Sequence, residues 1–321
     1  MRILFFGTPH ESVPFLETCC DAGVVVGVVT APDRPRGRGR KLQPSPVKEA
    51  AIERGLSVLQ PPSCREPDFI QAVRRLAPEL FVVVAFGQIL PPDLLAVPRA
   101  AINVHFSLLP QLRGAAPVQR AVQWGFTTTG VTVQLMSPKL DAGPILAQRP
   151  VPIHRRDDSA SLRRRLVAAG VECLRQVLAQ LAEGHELTGA RQIDDLATYA
   201  PKLDRAEAAV DFVHPASAVA RQIKGLADSG GAYCFIDGKR LKLWTGAYLW
   251  RSEPGGSPGE IEAATRTGPL VNCGGHFLLV TSAQLEGKKQ MTGSELLRGR
   301  VLVLGKRLEA TAPGSGQTPG G

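Results

Sequence analysis

From Arg2 to about Ile153 this 321-residue chain alternates short, continuous apolar runs with amphipathic stretches, and that rhythm limits the folds open to it. The runs are Arg2–Phe6, Val24–Thr30, Leu80–Ala85, Ala101–His105 and Val131–Met136. They lack the polar alternation of a strand with one wet face, so each is expected to be buried on both sides. Helical patterns fall between them, over Glu11–Ala22, Pro46–Arg54, Asp68–Leu76, Pro92–Ala96 and Ala115–Trp124. Strands separated by helices predict an α/β domain with a mainly parallel, doubly covered sheet. A longer helix is expected over Asp158–Gly184, with an apolar stripe of Leu162, Leu166, Cys173, Leu174, Val177, Leu178 and Leu181. Asp157 and Asp158 stand at its positive end.

Beyond Gln192 the texture changes. Asp194–Lys202 reads as an exposed linker, a helix is expected over Ala216–Leu226, and short strands then alternate with glycine turns. The strands are Ala232–Ile236, Leu241–Trp244, Leu270–Asn272 and His276–Thr281, with turns at Asp237-Gly238, Pro254-Gly255-Gly256 and Gly274-Gly275. This spacing predicts a small barrel or sandwich. Thr311–Gly321, mostly Pro, Gly, Ser, Thr and Gln, is expected to be disordered. The expected division is a domain over 1–190, a linker over 191–207, a β domain over 208–308 and a tail over 309–321.

Several function classes fall away. No stretch is long and apolar enough to span a bilayer. Met1 runs directly into the first apolar strand, so a cytoplasmic protein is expected, or an organelle-matrix one whose transit peptide has been removed. The six cysteines (Cys19, Cys20, Cys64, Cys173, Cys234, Cys273) form no C-x-x-C pair and the histidines no metal spacing, so structural thiols and no metal are expected. Gly7-Thr8-Pro9-His10-Glu11 lacks the further glycines of a dinucleotide fingerprint. Gly37-Arg38-Gly39-Arg40-Lys41 lacks both the spacing and the Ser/Thr of a phosphate loop. A net charge of +9 leans towards a polyanionic partner.

Chemistry gathers at two places. Asn103 and His105 end a strand two residues apart, so they project to the same side where open α/β sheets bind ligands. Asp141, in the turn Leu140-Asp141-Ala142-Gly143 after a later strand, can reach the same cleft. An amide donor, an imidazole and a carboxylate suit acyl transfer between amines. The donors hold the oxyanion and the carboxylate–imidazole pair moves the proton, with no Ser or Cys nucleophile. The plainer reading, a structural histidine and an ordinary Asp turn, stays open on spacing alone.

These residues sit in longer strings: Asn103-Val104-His105-Phe106-Ser107-Leu108-Leu109-Pro110, Arg113-Gly114-Ala115-Ala116-Pro117-Val118-Gln119-Arg120 and Leu140-Asp141-Ala142-Gly143. Together they resemble the signature of the folate-dependent formyltransferases, and Phe86-Gly87-Gln88-Ile89-Leu90-Pro91 resembles that family's pterin-side segment. The resemblance runs from Met1 to about Leu308. It implies a Rossmann-like formyltransferase domain followed by a C-terminal barrel resembling an OB-fold. It also implies catalytic roles for Asn103, His105 and Asp141, with Asn103 and a protonated His105 holding the oxyanion and Asp141 orienting His105. The co-substrate it implies is 10-formyltetrahydrofolate, with Phe86, Gly87, Gln88, Ile89, Leu90, Ser107, Leu108, Leu109 and Pro110 lining its pocket.

Family members differ in the amine they formylate. Pro32–Lys48, carrying Arg34, Arg36, Arg38, Arg40 and Lys41, is similar to the insertion loop of the branch that acts on methionyl-tRNA. Five cations spaced by Gly and Pro make a finger that cannot bury itself and can order on RNA phosphates. Arg38 falls where the resemblance places an acceptor-stem contact. Ala197–Lys202 resembles the family's linker, and Gly238–Trp244 and Glu286–Met291 resemble segments of its barrel. Lys239, Arg240, Lys288 and Lys289 are therefore further candidate tRNA contacts. The expected partner is an initiator methionyl-tRNA, the expected state a monomer. Formylation of a nucleotide sugar, hydrolysis of the formylfolate and non-catalytic RNA binding remain competitors. Three departures from the family pattern bear watching: Phe106 in place of a small residue, Gln111-Leu112, and Ala227–Gly231.

Overall fold

The computed structural model describes residues 1–36, 41–249 and 255–311, without the side chains at positions 36, 41, 248 and 249. Two compact units result. The first gathers Met1–Pro117, Thr128–Pro152 and Arg163–Ala200, and the second Val118–Thr127, Ile153–Leu162 and the chain from Pro201.

In chain order the elements begin β1 (Arg2–Gly7), α1 (Val13–Ala22), β2 (Val24–Val29), β3 (Arg34–Arg36), β4 (Lys41–Gln43), α2 (Pro46–Glu53) and β5 (Val58–Leu59). They continue with α3 (Pro67–Leu76), β6 (Leu80–Val84), α4 (Pro92–Leu95), β7 (Ala100–His105), α5 (Pro117–Gln123), β8 (Thr128–Leu135), β9 (Ile145–Pro152) and α6 (Ser159–Ala182). The first unit is built on one sheet of order β5-β2-β1-β6-β7-β8-β9. Its first five strands are parallel, and β8 pairs antiparallel with both β7 and β9. The central parallel strands β1 and β6 are dry on both faces, as their unbroken apolar runs require. Leu4, Phe6, Phe81, Val83 and Ala101 pack with Phe69 and Val73 of α3 and Leu94 of α4. Ile3, Phe5, Val82 and Ile102, one residue out of phase, are equally buried.

The structure departs from the sequence reading at several places, among them the short strands β3, β4 and β5 and, in the second unit, a strand over Ile261–Ala264. Strand β9 was not anticipated, because Pro150 and Pro152 break its pattern; at the edge of a sheet a missing N–H is tolerated. Asp194–Lys202 is not an exposed linker throughout. Tyr199 bridges to Arg113, Ala200 is fully buried, and Thr198 accepts at its carbonyl from Arg113 N at 2.8 Å.

The second unit adds α7 (Ala216–Gly225), β10 (Ala232–Ile236), β11 (Lys239–Leu249), β12 (Ile261–Ala264), β13 (Pro269–Cys273), β14 (His276–Leu285), β15 (Met291–Thr292) and α8 (Gly293–Arg298). Its antiparallel sheet runs β10-β11-β14-β13-β12. Arg307–Glu309 then joins the two edges, Glu309 bridging to Phe235 of β10 and Arg307 to Glu260 beside β12. That closes the sheet into a barrel and removes its open edges. The interior holds Leu241, Leu243, Val271, Leu278 and Val280, with Val219 and Ile223 of α7 and Leu296 of α8 packed against it. Helix α8 starts at a capping box in which Thr292 and Glu295 satisfy each other's backbone donors.

Candidate active site

Strand register explains why the polar residues meet. Asn103 of β7 pairs with Gln134 of β8, His105 with Thr132, and Thr132 in turn with Gln148 of β9. Partners across a sheet share a face. A polar row therefore lies on one face while Ile102, Val104 and Val133 point to the other. The turn after β8 brings Asp141 back to this row. Its Oδ1 accepts from Gln134 Nε2 at 3.2 Å and its Oδ2 from Gly114 N at 2.8 Å. The turn is tight: a Cβ at Gly143 would lie 1.7 Å from the Leu135 carbonyl oxygen.

His105 is 6% exposed, with Nε2 2.8 Å from the Leu112 carbonyl and Nδ1 3.6 Å from Asp141 Oδ2. A carbonyl only accepts, so Nε2 carries a proton and Nδ1 is the nitrogen presented to the carboxylate. At 3.6 Å the pair is an ion-pair contact rather than a direct hydrogen bond. With Nε2 on the Leu112 carbonyl, the second ring nitrogen is the one nearest Asp141, and Asn103, two residues back on the same face, is half-buried. Ala85 (φ 47°), Leu112 (φ 58°) and Asp141 (φ 50°), all non-glycine residues in the left-handed region, respectively follow β6, bond His105 and carry the candidate carboxylate. Strain of this kind is held where the surroundings over-determine it, commonly at functional sites.

The candidate folate residues follow the carboxyl ends of β6 and β7, which are neighbours. Ile89 is 74% exposed, and a Cβ at Gly87 would meet nothing within 4 Å. Phe86 packs edge-on against Phe6, and Gln88 is tied to the Pro61–Cys64 loop at both ends of its amide. Burial pushes the Cys64 thiol up to about 11. Leu90, Ser107 and Leu109 are buried, and Leu108 and Pro110 are half-buried. The loop is fixed by Leu109, whose N–H donates to Thr132 Oγ1 at 3.1 Å and whose carbonyl accepts from Gln148 Nε2 at 2.8 Å. Phe106 does not enter the site; it is 6% exposed and packs edge-on against Phe15 of α1.

Of the basic candidates, β3 and β4 pair as a two-stranded antiparallel ribbon, so the expected flexible finger has an ordered base. Asp33 anchors that base by accepting from Gln60 Nε2 and Lys48 Nζ, contacts that hold its carboxyl below the usual range. Arg34 is exposed, Arg38 and Arg40 lie outside the described residues, and so do the side chains of Arg36 and Lys41. In the second unit Leu241 pairs with Leu285, which brings Lys239 and Arg240 to the same barrel end as Lys288 and Lys289, all exposed. Arg240 stacks on Tyr233 at 3.7 Å from the ring centre, and Asp228 of the divergent Ala227–Gly231 stretch accepts from Gln119 and Ser159.

Sequence reasoning did not single out Gln134, Thr132, Gln148 or Gln192, and named Arg113 only as part of a motif string. Polar residues at Thr132 and Gln134, two apart inside a buried strand, carried a readable signal. Gln192 stands in an irregular segment and carried none. Among the described residues, no group of three or more His, Cys, Asp and Glu is placed to hold a metal ion. Nor is any described helix long and apolar enough to cross a membrane.

Residues 1–178 match the formyl transferase family model, and residues 202–301 match that of the formyl transferase C-terminal domain. A methionyl-tRNA formyltransferase of Geobacter sulfurreducens is 44% identical over 310 residues, covering 96% of each chain. One from Moorella thermoacetica is 43% identical over 310 residues, 96% of this chain and 99% of its own. Among solved structures, HypX from Aquifex aeolicus in complex with tetrahydrofolic acid aligns at TM-score 0.63 and 19% identity over 95% of this chain, which spans 48% of that longer one. WlaRD, a sugar 3N-formyl transferase, aligns at TM-score 0.63 and 15% identity over 90% of this chain and 99% of its own. These two establish the shared fold. The relatives and the two family models together establish that the chain belongs to the formyl transferase family, among the methionyl-tRNA formyltransferases.

Proposed function

We propose that this chain moves the formyl group of 10-formyltetrahydrofolate to the free amino group of methionyl initiator tRNA, giving N-formylmethionyl-tRNA for translation initiation. Near-full-length similarity to methionyl-tRNA formyltransferases supports the substrate pair. One geometric observation carries the residue roles: Asn103, His105 and Asp141 meet on one sheet face beside the carboxyl ends of β6 and β7. The exposed rim at Gly87 and Ile89, next to the half-buried Phe86 ring, fits a flat, partly apolar ligand, with Ser107–Pro110 as its fixed second side. A formylfolate bound there supplies the one-carbon group.

The chain's own residues do the rest. Asn103 donates its amide hydrogen to a carbonyl oxygen as that oxygen gains charge, a contribution of about 10²–10³ in rate for one donor. The His105–Asp141 pair takes up the proton shed by the attacking amine and returns it to the departing nitrogen, worth about 10²–10⁴. Arg34, Arg36, Arg38, Arg40 and Lys41 on the β3–β4 side, and Lys239, Arg240, Lys288 and Lys289 on the barrel, lie against tRNA phosphates.

The test is formyl transfer to charged initiator and elongator methionine tRNAs, with amino sugars as competing acceptors. Transfer to the initiator alone is expected. His105→Ala lowers kcat by about 10²–10⁴ while the tRNA Kd holds. Formylation of the sugars and neither tRNA overturns the substrate; a wild-type rate in His105→Ala overturns the roles.

A further inference from the structure

A buried chain of polar groups runs behind the candidate acid. Arg113 is fully buried, although its guanidinium is charged, and it reaches the Asp194 carboxylate at 2.8 Å. Hydrogen bonds from Lys139 and Arg113 hold the Asp194 carboxyl below its ordinary range. Arg113 Nη1 is buried without a hydrogen-bond partner among the described residues. Its Nε and Nη2 both donate to Gln192 Oε1, at 3.1 Å and 2.7 Å.

An arginine only donates, so this contact fixes which end of the Gln192 amide faces which way. Gln192 Nε2 is turned towards three acceptors: the Gly143 carbonyl at 2.7 Å, the Asp141 carbonyl at 2.9 Å and Gln134 Oε1 at 3.2 Å. The polarity then passes on. Because Gln134 accepts at Oε1, its Nε2 points the other way, to Asp141 Oδ1 at 3.2 Å. Donation runs in one direction, from guanidinium through two amides to the carboxylate. It leaves Asp141 Oδ2 for Gly114 N and His105 Nδ1.

We propose that Gln192, oriented by Arg113, is a positioning residue for the reaction. It clamps the strained turn that carries Asp141 and, through Gln134, sets the polarity of the contact that keeps Asp141 an acceptor facing His105. This rests on Asp141 belonging to the site as proposed above. The titratable groups facing Asp141 are His105 at 3.6 Å and, beyond Gln192, Arg113 with Asp194 and Lys139.

Gln192→Glu keeps the shape and the contact to Arg113, but turns an oxygen on the acceptors that the amide served. Gln134 must then donate towards position 192 and present oxygen to Asp141. The expected result is a kcat lower by about 10- to 100-fold, the range for outer partners that orient an active group, with KM for both substrates unchanged. The acid limb of the kcat–pH profile moves to higher pH, because the carboxylate has lost a donor. Gln134→Glu, which breaks the same chain one link later, shifts that limb in the same direction and decides the matter if Gln192→Glu melts early. Unmoved pH limbs in both variants, or losses confined to KM and melting temperature, overturn the proposal. Asp141→Asn separates the two readings: if it keeps wild-type turnover the site assignment fails, and if it alone loses turnover only the role of Gln192 fails.

Discussion

Phe106 shows how much one residue's side of a strand decides. It follows His105, so it leaves the sheet towards the opposite face and fills the space beside Phe15, over which α6 places the side-chain-free Gly170. A bulky residue next to His105 could crowd the substrate or simply repack the loop, and its burial against Phe15 supports the second. Phe106→Ala is expected to cost about 3 kcal/mol, the transfer and cavity terms of a buried ring. Urea unfolding checks it, and the KM for the formyl donor is expected to stay at the wild-type value. A changed KM at unchanged stability would place the ring in the pocket instead.

At the scale of elements, short helices here depend on the partners of their charged side chains. Helix α5 carries Arg120, which is 7% exposed and makes a two-pronged contact to Glu207, one prong at 2.9 Å. That pairing holds the Glu207 carboxyl below its usual range, with the Arg120 hydrogen bond as the largest cause. A depressed carboxylate stabilises the fold above its unfolded pKa, and the contribution is lost as pH falls through the folded one. Glu207 is 37% exposed, so solvent screening keeps the effect to about 1 kcal/mol. Glu207→Gln is accordingly expected to lower stability at pH 7 and to converge on the wild type as pH falls through and below the ordinary carboxylate range. Chemical denaturation across that range measures it, and a constant gap between the two curves would remove the ion pair from the account. The start of α6 follows the same logic, with Asp158 Oδ1 accepting from Ser161 N at 2.7 Å, as the acidic pair at its head suggested.

For the whole molecule the excess of nine positive charges becomes meaningful only through where it is carried. Each unit presents its own basic feature, the β3–β4 ribbon in the first and one barrel end in the second. Phosphate contacts release counterions, so tRNA affinity is expected to fall linearly with the logarithm of salt, by about 0.7–0.9 per contact. Replacing Lys239, Arg240, Lys288 and Lys289 together by alanine should weaken binding and flatten that slope by about 3, measured by filter binding at several salt concentrations. Parallel slopes for variant and wild type would mean that this end of the barrel does not touch the phosphates.

What the sequence determined by itself was whatever a local pattern can encode. Unbroken Val- and Phe-rich runs required two-sided burial and hence the parallel core. The two-residue spacing put Asn103 and His105 on one side, and long motif strings pointed to the chemistry. Tertiary structure decided what depends on register and on distant partners. It paired Gln134 with Asn103 and made an edge strand of a segment with two prolines. It closed the barrel with Arg307–Glu309, a segment with no strand signal of its own. It also turned His105 Nε2 to Leu112 and brought Gln192, 51 positions after Asp141, behind the turn that carries Asp141. The physical reason is common to all of these. A hydrogen bond between residues far apart in sequence leaves no periodicity in the chain, and only the folded backbone places its donor against its acceptor.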